Sequence, residues 1–203
     1  MHAVVTRGVR LAAPLASVVV PDLEVASPGI TVLGRPHGTG ASTFVELCAG
    51  TLAACSGAVR VLGLDPADPR LVRSRSICRT TIGLAERASV RQHVRLFAHA
   101  AGVDEEPFLA RFAAHGPLPW LDAPTERLSA GMARLAWVVL TTTPQRELIV
   151  LDEPFLGLDD AASAILLAEI EAWAGTSAVL LVDHDAARGW SRDVARIAMG
   201  SGE

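Results

Sequence analysis

Apolar residues recur along the chain in two patterns, which predict strands and helices in alternation. Short, nearly continuous apolar runs predict buried strands at residues 30–33, 57–63, 147–151 and 178–182. Apolar positions at helical spacing predict helices at residues 42–50, 90–101, 105–114, 129–140 and 161–173. Another strand is expected at residues 80–84, whereas the Pro- and Arg-rich stretch 66–76 is expected to form a loop.

Alternating buried strands and helices indicate an α/β fold, in which a mostly parallel sheet has helices on both faces. Residues 3–11 and 16–25 predict a small antiparallel β part at the N-terminus, with its second strand broken by Pro21. The helical pattern at about 89–140 predicts an inserted α-helical subdomain. We therefore expect one domain over residues 1–203, whose core subdomain comprises residues 1–88 and 141–203.

The composition narrows the classes of function. Half of the 203 residues are hydrophobic, which is ample material for a core. The net charge is −4 and no long run of like charge occurs, so the sequence does not favour nucleic-acid binding. The three cysteines form no C-x-x-C pair and the six histidines are scattered, which supports neither a disulfide framework nor a histidine metal site.

The N-terminal region superficially resembles a signal peptide, because Arg7 and Arg10 precede or begin a largely apolar stretch ending at residue 20. Asp22 and Glu24 follow at once, and the alternating valines suit a strand better. No apolar run reaches the roughly 18 residues of a membrane span. We expect a cytoplasmic protein that works at a membrane only by docking on a protein that spans it.

A glycine-rich segment between a predicted strand and a predicted helix has the context of a phosphate-binding loop. Gly38 and Gly40, together with Thr39 and Thr43, would present successive N–H groups to an anion at a helix N-terminus. Ser42 occupies the position where a hydroxyl would bind Mg²⁺. A tight turn without any ligand would use the same glycines, so this segment alone does not establish a nucleotide site.

The loop lacks the lysine that such loops use to contact phosphates. Ala41 occupies that position, and all 18 basic residues of the chain are arginines. Compositional drift towards arginine accounts for the missing lysines elsewhere, but it would have left Arg rather than Ala at residue 41. A charge-assisted hydrogen bond contributes roughly 1.5–3 kcal/mol, so its loss would weaken phosphate binding about 10- to 100-fold. The transition state of phosphoryl transfer would lose more.

Two adjacent acids follow the predicted strand 147–151. Asp152 and Glu153 stand at its carboxyl end, which is where α/β sheets bind ligands. Asp152 is a candidate for the Mg²⁺ shell, and Glu153 is a candidate for accepting a proton from water. The alternative is that both acids cap the backbone or are solvated.

The order of these motifs resembles the nucleotide-binding subunit of ATP-binding-cassette (ABC) transporters over nearly the whole chain. The segment 152–160, DEPFLGLDD, is similar to the family's Walker B motif and D-loop. The segment 128–132, LSAGM, resembles its signature motif, and 182–185, VDHD, resembles its switch-histidine segment. The run 90–103 is similar to the helical insert of the exporter-like branch. The resemblance implies a P-loop NTPase-like fold.

The resemblance also implies roles for individual residues. Two subunits of the family close head-to-tail over two ATP molecules, with Mg²⁺. The signature residues Ser129, Ala130 and Gly131 would then point the N-terminus of a helix at the γ-phosphate held by the partner. Glu153 would be the general base. His184, which is otherwise an ordinary histidine at a strand end, would sense the γ-phosphate.

Further implied contacts complete this picture. Asp159, in the D-loop, would contact the partner's site. Ser42 and Asp152 would hold the metal ion. Glu86 aligns best with the glutamine that the family uses to connect nucleotide and permease, although an ionised Glu cannot donate a hydrogen bond. Arg35 stands where the first loop glycine is expected, and its side chain is a candidate for reaching a phosphate.

The residues that hold nucleotide are therefore altered, while those offered to a partner are intact. Besides Ala41, the adenine-stacking aromatic expected near residues 11–14 is missing. We expect an exporter-like transporter subunit with an impaired Walker A loop, which pairs with a competent ATPase subunit and docks on a permease at the cytoplasmic face of the cell membrane. Hydrolysis would then belong to the complex. The alternatives are a homodimeric ATPase with a lysine-free loop, or a regulatory or scaffold protein of this fold.

Overall fold

Two β-sheets and five α-helices make up most of the computed structural model, which describes residues 2–12, 17–34, 40–185 and 189–198. The strands are β1 (His2–Ala12), β2 (Ser17–Val19), β3 (Leu23–Ala26), β4 (Gly29–Gly34), β5 (Ser56–Val61), β6 (Arg75–Cys78), β7 (Leu148–Asp152), β8 (Ala178–Asp183) and β9 (Ala195–Ala198). The helices are α1 (Ala41–Ala49), α2 (Val90–Ala101), α3 (Glu106–Ala114), α4 (Ala130–Thr142) and α5 (Asp160–Trp173). Across these ranges, every helix is too short or too polar to cross a bilayer.

The first sheet is antiparallel and is built by the N-terminal strands. Its four strands all meet at β1, which pairs antiparallel with β2, β3 and β5. The interruption predicted at Pro21 separates β2 from β3. There the Thr6 hydroxyl donates to the Pro21 carbonyl (2.8 Å) and accepts from the Leu23 N–H (3.1 Å). The Thr6 side chain thus satisfies backbone groups on either side of the break between β2 and β3.

The second sheet has five strands in the order β6-β7-β8-β4-β9, and all of its pairings are parallel. Every residue of β7 and β8 is buried, which explains why both strands are almost entirely apolar in sequence. One face packs on α1 and on the antiparallel sheet, and the opposite face packs on α5. The predicted α/β architecture with a mostly parallel sheet is therefore confirmed.

Helices α2, α3 and α4 share a hydrophobic cluster of their own, centred on the fully buried Phe108 and Phe112. Ser89 begins α2 with a reciprocal capping pair, because it accepts from the Gln92 N–H while the Gln92 side chain accepts from the Ser89 N–H. α4 also reaches the sheet, since Val138 belongs to the cluster that β7 and α5 form. This helix therefore connects the helical layer to the sheet.

The strand predicted at residues 80–84 was wrong. The strand in this region is β6, which begins inside the stretch predicted to be a loop. The charge of its first residue, Arg75, suggests an exposed position, but the residue is half-buried and its guanidinium has hydrogen-bond partners. The Arg75 guanidinium donates to three backbone carbonyls near the end of α1, those of Cys48 (2.8 Å), Ala49 (2.5 Å) and Pro66 (2.7 Å). Tertiary hydrogen bonds thus override the local polarity.

Candidate functional site

Strands β4, β6, β7 and β8 all end at one edge of the parallel sheet, because their pairings are parallel. Asp152 is the last residue of β7 and Glu153 follows it there, and His184 directly follows β8. The helix α1 begins close to the end of β4, with Gly40 preceding it in a left-handed conformation (φ 77°). Ligands of α/β sheets bind at this end of the strands, which is the reason for the predicted site.

The predicted loop residues Arg35, Gly38 and Thr39 lie outside the described residues. Gly40 has no side chain to cap α1, so its first N–H groups gain no cap from that residue. Ala41 is 1% exposed and belongs to the core cluster beneath the sheet. Its methyl group therefore packs in the interior and offers nothing to a ligand.

A cavity of about 410 Å³ opens beside the first turn of α1. It is lined by residues of three segments: Ser42, Thr43, Glu46, Thr51, Leu52, Arg79, Thr80, Thr81 and Asp152. The structure thus brings the two predicted metal-binding residues to one cavity. The cavity also includes the segment directly after β6. The sequence did not point to this segment, because it predicted the strand at residues 80–84 and not at Arg75–Cys78. The signal that could have found it is the polar group Arg79-Thr80-Thr81 directly behind an apolar-alternating strand.

Asp152 has an unsatisfied acceptor in this cavity. The residue is 2% exposed, and its Oδ1 atom has no hydrogen-bond partner among the described residues. A buried carboxylate oxygen without a donor is costly unless a cation or a donor completes it. Together with the Ser42 hydroxyl it forms a set of hard oxygen ligands, which is what Mg²⁺ prefers. The residues present therefore fit a magnesium ion.

Glu153 and His184 contact each other at the same sheet edge. The His184 Nδ1 atom lies 2.9 Å from Glu153 Oε2 and 3.5 Å from Asp183 Oδ1. Glu153 is 8% exposed and has a positive φ of 50°, which is unusual for a residue with a side chain. Its N–H donates to the Val182 carbonyl (2.9 Å), and this bond holds it beside β8. Ligand atoms of Glu153, Asp183 and His184 lie within 4.8 Å of one another.

The signature-like segment and the D-loop-like segment contact each other. Ser129 precedes α4 and its hydroxyl accepts from the Met132 N–H (3.2 Å), while Asp159 precedes α5 and accepts from the Ala162 N–H (2.8 Å). A Cβ on Gly131 would lie 2.4 Å from the Gly157 carbonyl oxygen. Glycine at residue 131 thus allows the two segments to approach closely.

These residues line a second cavity of about 350 Å³, which shares none of its lining with the first. Ser129, Gly131 and Asp159 all belong to it, whereas Ala130 packs its methyl group 3.8 Å from where a Cβ on Gly157 would lie. The predicted partner-facing residues therefore form one group, separate from the group around Ser42.

Glu86 is not brought to either cavity. Its side chain is exposed, and its carbonyl accepts from the Glu126 N–H (3.0 Å) and the Thr125 hydroxyl (3.3 Å). In the segment after β6, the Thr80 hydroxyl donates to the Asp152 carbonyl (3.4 Å).

The helix that begins with Ser129 also fixes the backbone of the first cavity. Arg134, which is 3% exposed, donates to the carbonyls of Arg79 (3.0 Å) and Thr80 (2.6 Å). The Trp137 indole N–H donates to the same Arg79 carbonyl (3.1 Å). Because α4 carries the signature-like segment at its N-terminus, the two cavities are connected through one rigid helix.

Comparison with known proteins identifies the family, although no family model matches the chain. The chain is 31% identical over 175 residues to the cytochrome c biogenesis ATP-binding export protein CcmA of Bordetella bronchiseptica, covering 84% of this chain and 78% of that protein. It is 30% identical over 158 residues to the ABC-type transporter ATP-binding protein EcsA of Bacillus subtilis, covering 73% and 63%. The chain therefore belongs to the family of ABC transporter ATP-binding proteins.

Other matches are longer proteins or solved structures. The chain is 28% identical to ABC transporter A family member 7 of Arabidopsis thaliana over 81% of its own length, but it spans only 19% of that protein. An ABC transporter ATP-binding protein from Pyrococcus furiosus superposes with a TM-score of 0.78 at 16% identity, over 97% of this chain and 96% of that one. The ATP-binding subunit of another ABC transporter also gives 0.78, at 25% identity, over 90% and 79%.

Proposed function

We propose that this chain is an ATP-binding subunit of an exporter-like membrane transporter, and that it completes the ATP site of a second, competent ATPase subunit. The observation that carries the proposal is the contrast between its two cavities. Ala41 has its side chain in the core where the family has a lysine, whereas Ser129 and Asp159 are exposed beside an open cavity. The chain's own phosphate site is impaired, and the surface offered to a partner is intact.

The N-terminus of α4 has the properties that a phosphate of a partner's ATP requires. The helix is 13 residues long, and its dipole places partial positive charge at its start. Ser129 is exposed, so this end of the helix can meet another molecule. Glycine at residue 131 allows the start of α4 to lie close to the segment around Gly157, because any larger residue would displace the Gly157 carbonyl.

The chain's own site would act on ATP only weakly. Ser42 and Asp152 are the residues that would hold Mg²⁺, which supplies charge neutralisation for phosphates when bound. Glu153 would accept the proton of an attacking water at its carboxylate, and the 2.9 Å contact with His184 Nδ1 would orient that carboxylate. Without a lysine, less of the charge that develops on the transferred phosphoryl group would be stabilised.

The partners follow from the family. The working complex would lie at the cytoplasmic face of the cell membrane. It would contain this chain, a second ABC ATPase subunit, transmembrane permease subunits, ATP and Mg²⁺. One observation supports this arrangement: the relative from Bordetella bronchiseptica is described as an ATP-binding export protein. Nucleic acid is not an expected partner, since the net charge is −4.

The proposal is tested by replacing Ser129 in the assembled transporter. The tagged chain is purified gently from source-cell membranes, its partners are identified by mass spectrometry, and ATP hydrolysis by the heteromer is measured. Ser129→Arg should abolish most hydrolysis, because a bulky side chain would fill the space in front of α4. The matched control is Ser56→Arg at the exposed start of β5, which should leave hydrolysis unchanged. Full hydrolysis by the Ser129 variant would show that the signature role is wrong.

A second candidate function is a homodimeric ATPase that works without the lysine. The intact contact between Glu153 and His184 favours it, as does the unsatisfied Asp152 oxygen. The discriminating measurement is ATP turnover by the chain with its permease and no other ATPase subunit. Turnover that Glu153→Gln abolishes would support the homodimer and would contradict the supporting role.

A further inference from the structure

Among the described residues that line the Ser42 cavity, Arg79 is the one with a permanent positive charge. We propose that Arg79 binds the phosphates of ATP in this cavity and so supplies the cation that Ala41 cannot. This inference rests on the proposed function, since it takes the cavity to be the chain's own ATP site. It goes beyond that proposal by assigning to a residue outside the glycine loop the contact that the loop has lost.

The guanidinium of Arg79 is held beside the first turns of α1. Its Nε donates to Glu46 Oε1 (2.7 Å) and its Nη2 donates to Glu46 Oε2 (3.1 Å). Glu46 stands four residues after Ser42 on the same helix, so both side chains share one helix face. The ion pair therefore positions the positive charge on the side of α1 that carries the candidate Mg²⁺ ligand.

The backbone of Arg79 is fixed while its side chain remains accessible. Arg134 and Trp137 both donate to the Arg79 carbonyl, at 3.0 and 3.1 Å. The side chain is 35% exposed, and that of Glu46 is 37% exposed. A ligand entering the cavity can thus reach the guanidinium without unfolding any element.

The chemistry of the pair suits exchange with a phosphate. A guanidinium has five N–H donors, of which Glu46 takes two, and its planar fork matches a phosphate as well as a carboxylate. The hydrogen bond from Arg79 lowers the pKa of Glu46, so the carboxylate is ionised at neutral pH. Glu46 therefore competes with a phosphate for Arg79, and removal of its charge should strengthen phosphate binding.

The test compares the binding of MgATP and AMP to the purified chain by isothermal titration calorimetry. AMP lacks the β- and γ-phosphates, so the ratio of the two affinities measures the contribution of those phosphates. Arg79→Ala should weaken MgATP binding about 10- to 100-fold and leave AMP binding unchanged. Glu46→Gln should tighten MgATP binding. Arg91→Ala is the matched control, because Arg91 makes a similar pair with Asp122 (2.6 and 3.0 Å) outside the cavity.

A second variant guards against a loss of folding in the first. Arg79→Gln is measured in parallel, and circular dichroism checks that each variant is folded. If Arg79→Ala does not fold, Arg79→Gln gives the same comparison with a smaller loss of packing.

The inference is overturned if both Arg79 variants bind MgATP like the parent, or if the parent binds MgATP no better than AMP. Neither result affects the supporting role, because that role is read from the Ser129 variant in the heteromer. Conversely, loss of the signature role would leave the affinity ratio as a valid test of Arg79. The two failures are therefore distinguishable.

Discussion

Gly131→Ala should destabilise the protein, because Gly131 lies where the signature-like and D-loop-like segments contact each other. This is the opposite of what helix propensity alone predicts, since alanine is favoured over glycine in a helix. The added Cβ would lie 2.4 Å from the Gly157 carbonyl oxygen. An ordinary carbon–oxygen contact requires the oxygen to retreat by about 1 Å. The obstructing atom belongs to the backbone and not to the tip of a flexible side chain, so the retreat must move the segment that leads to Asp159.

The magnitude follows from two opposing terms. Overpacking of this kind costs roughly 1–3 kcal/mol. Alanine in a helix gains at most about 1 kcal/mol over glycine. We therefore expect Gly131→Ala to lower the free energy of unfolding by about 1 kcal/mol, which corresponds to a fall in Tm of about 2–4 °C for a domain of this size.

The assay is equilibrium unfolding in urea, followed by tryptophan fluorescence, with Gly189→Ala as the matched control. A Cβ on Gly189 would meet no atom of the described residues within 4 Å, so this change should raise the free energy of unfolding by about 0.4–1 kcal/mol. The two variants should thus shift in opposite directions. A Gly131→Ala protein that is as stable as the control variant would refute the close approach and, with it, the narrow geometry proposed in front of α4.

Three other predictions concern single residues. Phe108→Ala should lower the free energy of unfolding by about 3–5 kcal/mol, because a fully buried ring leaves a cavity in the helical cluster; urea unfolding measures it, and a loss below 1 kcal/mol would contradict the burial. N-ethylmaleimide should label Cys55 alone in the folded chain, since Cys55 is exposed while burial raises the pKa of Cys48 to about 12 and that of Cys78 to about 11; rapid labelling of all three, counted by mass spectrometry, would contradict this. Burial lowers the pKa of His115 below its ordinary 6.5, so the folded state binds fewer protons than the unfolded state near that pH. The free energy of unfolding should therefore be highest above pH 6.5 and should fall below it by at most about 1.4 kcal/mol per pH unit, and His115→Gln should remove this fall from urea midpoints measured across that range.

The sequence by itself determined the class of fold and most of its elements. Apart from Glu147, the runs 147–151 and 178–182 are apolar without alternation, which is typical of short strands covered on both faces. The helical spacing of apolar positions placed the starts of α4 and α5 to within one residue, and in the structure Ser129 and Asp159 cap these helices by accepting from N–H groups of the first turn. The order of motifs then pointed to the family, which the relatives confirm.

The tertiary structure alone decided what surrounds the candidate site. β6 was misplaced from sequence because Arg75 looks solvated, yet distant backbone carbonyls bury and satisfy its guanidinium. That strand delivers Arg79 to the Ser42 cavity, although the two residues lie far apart in the chain. The direction of the Ala41 methyl group and the approach of Gly131 to Gly157 likewise depend on how elements pack. Periodicity reports which face of an element is apolar, whereas packing of separate elements sets which side chains meet in a cavity.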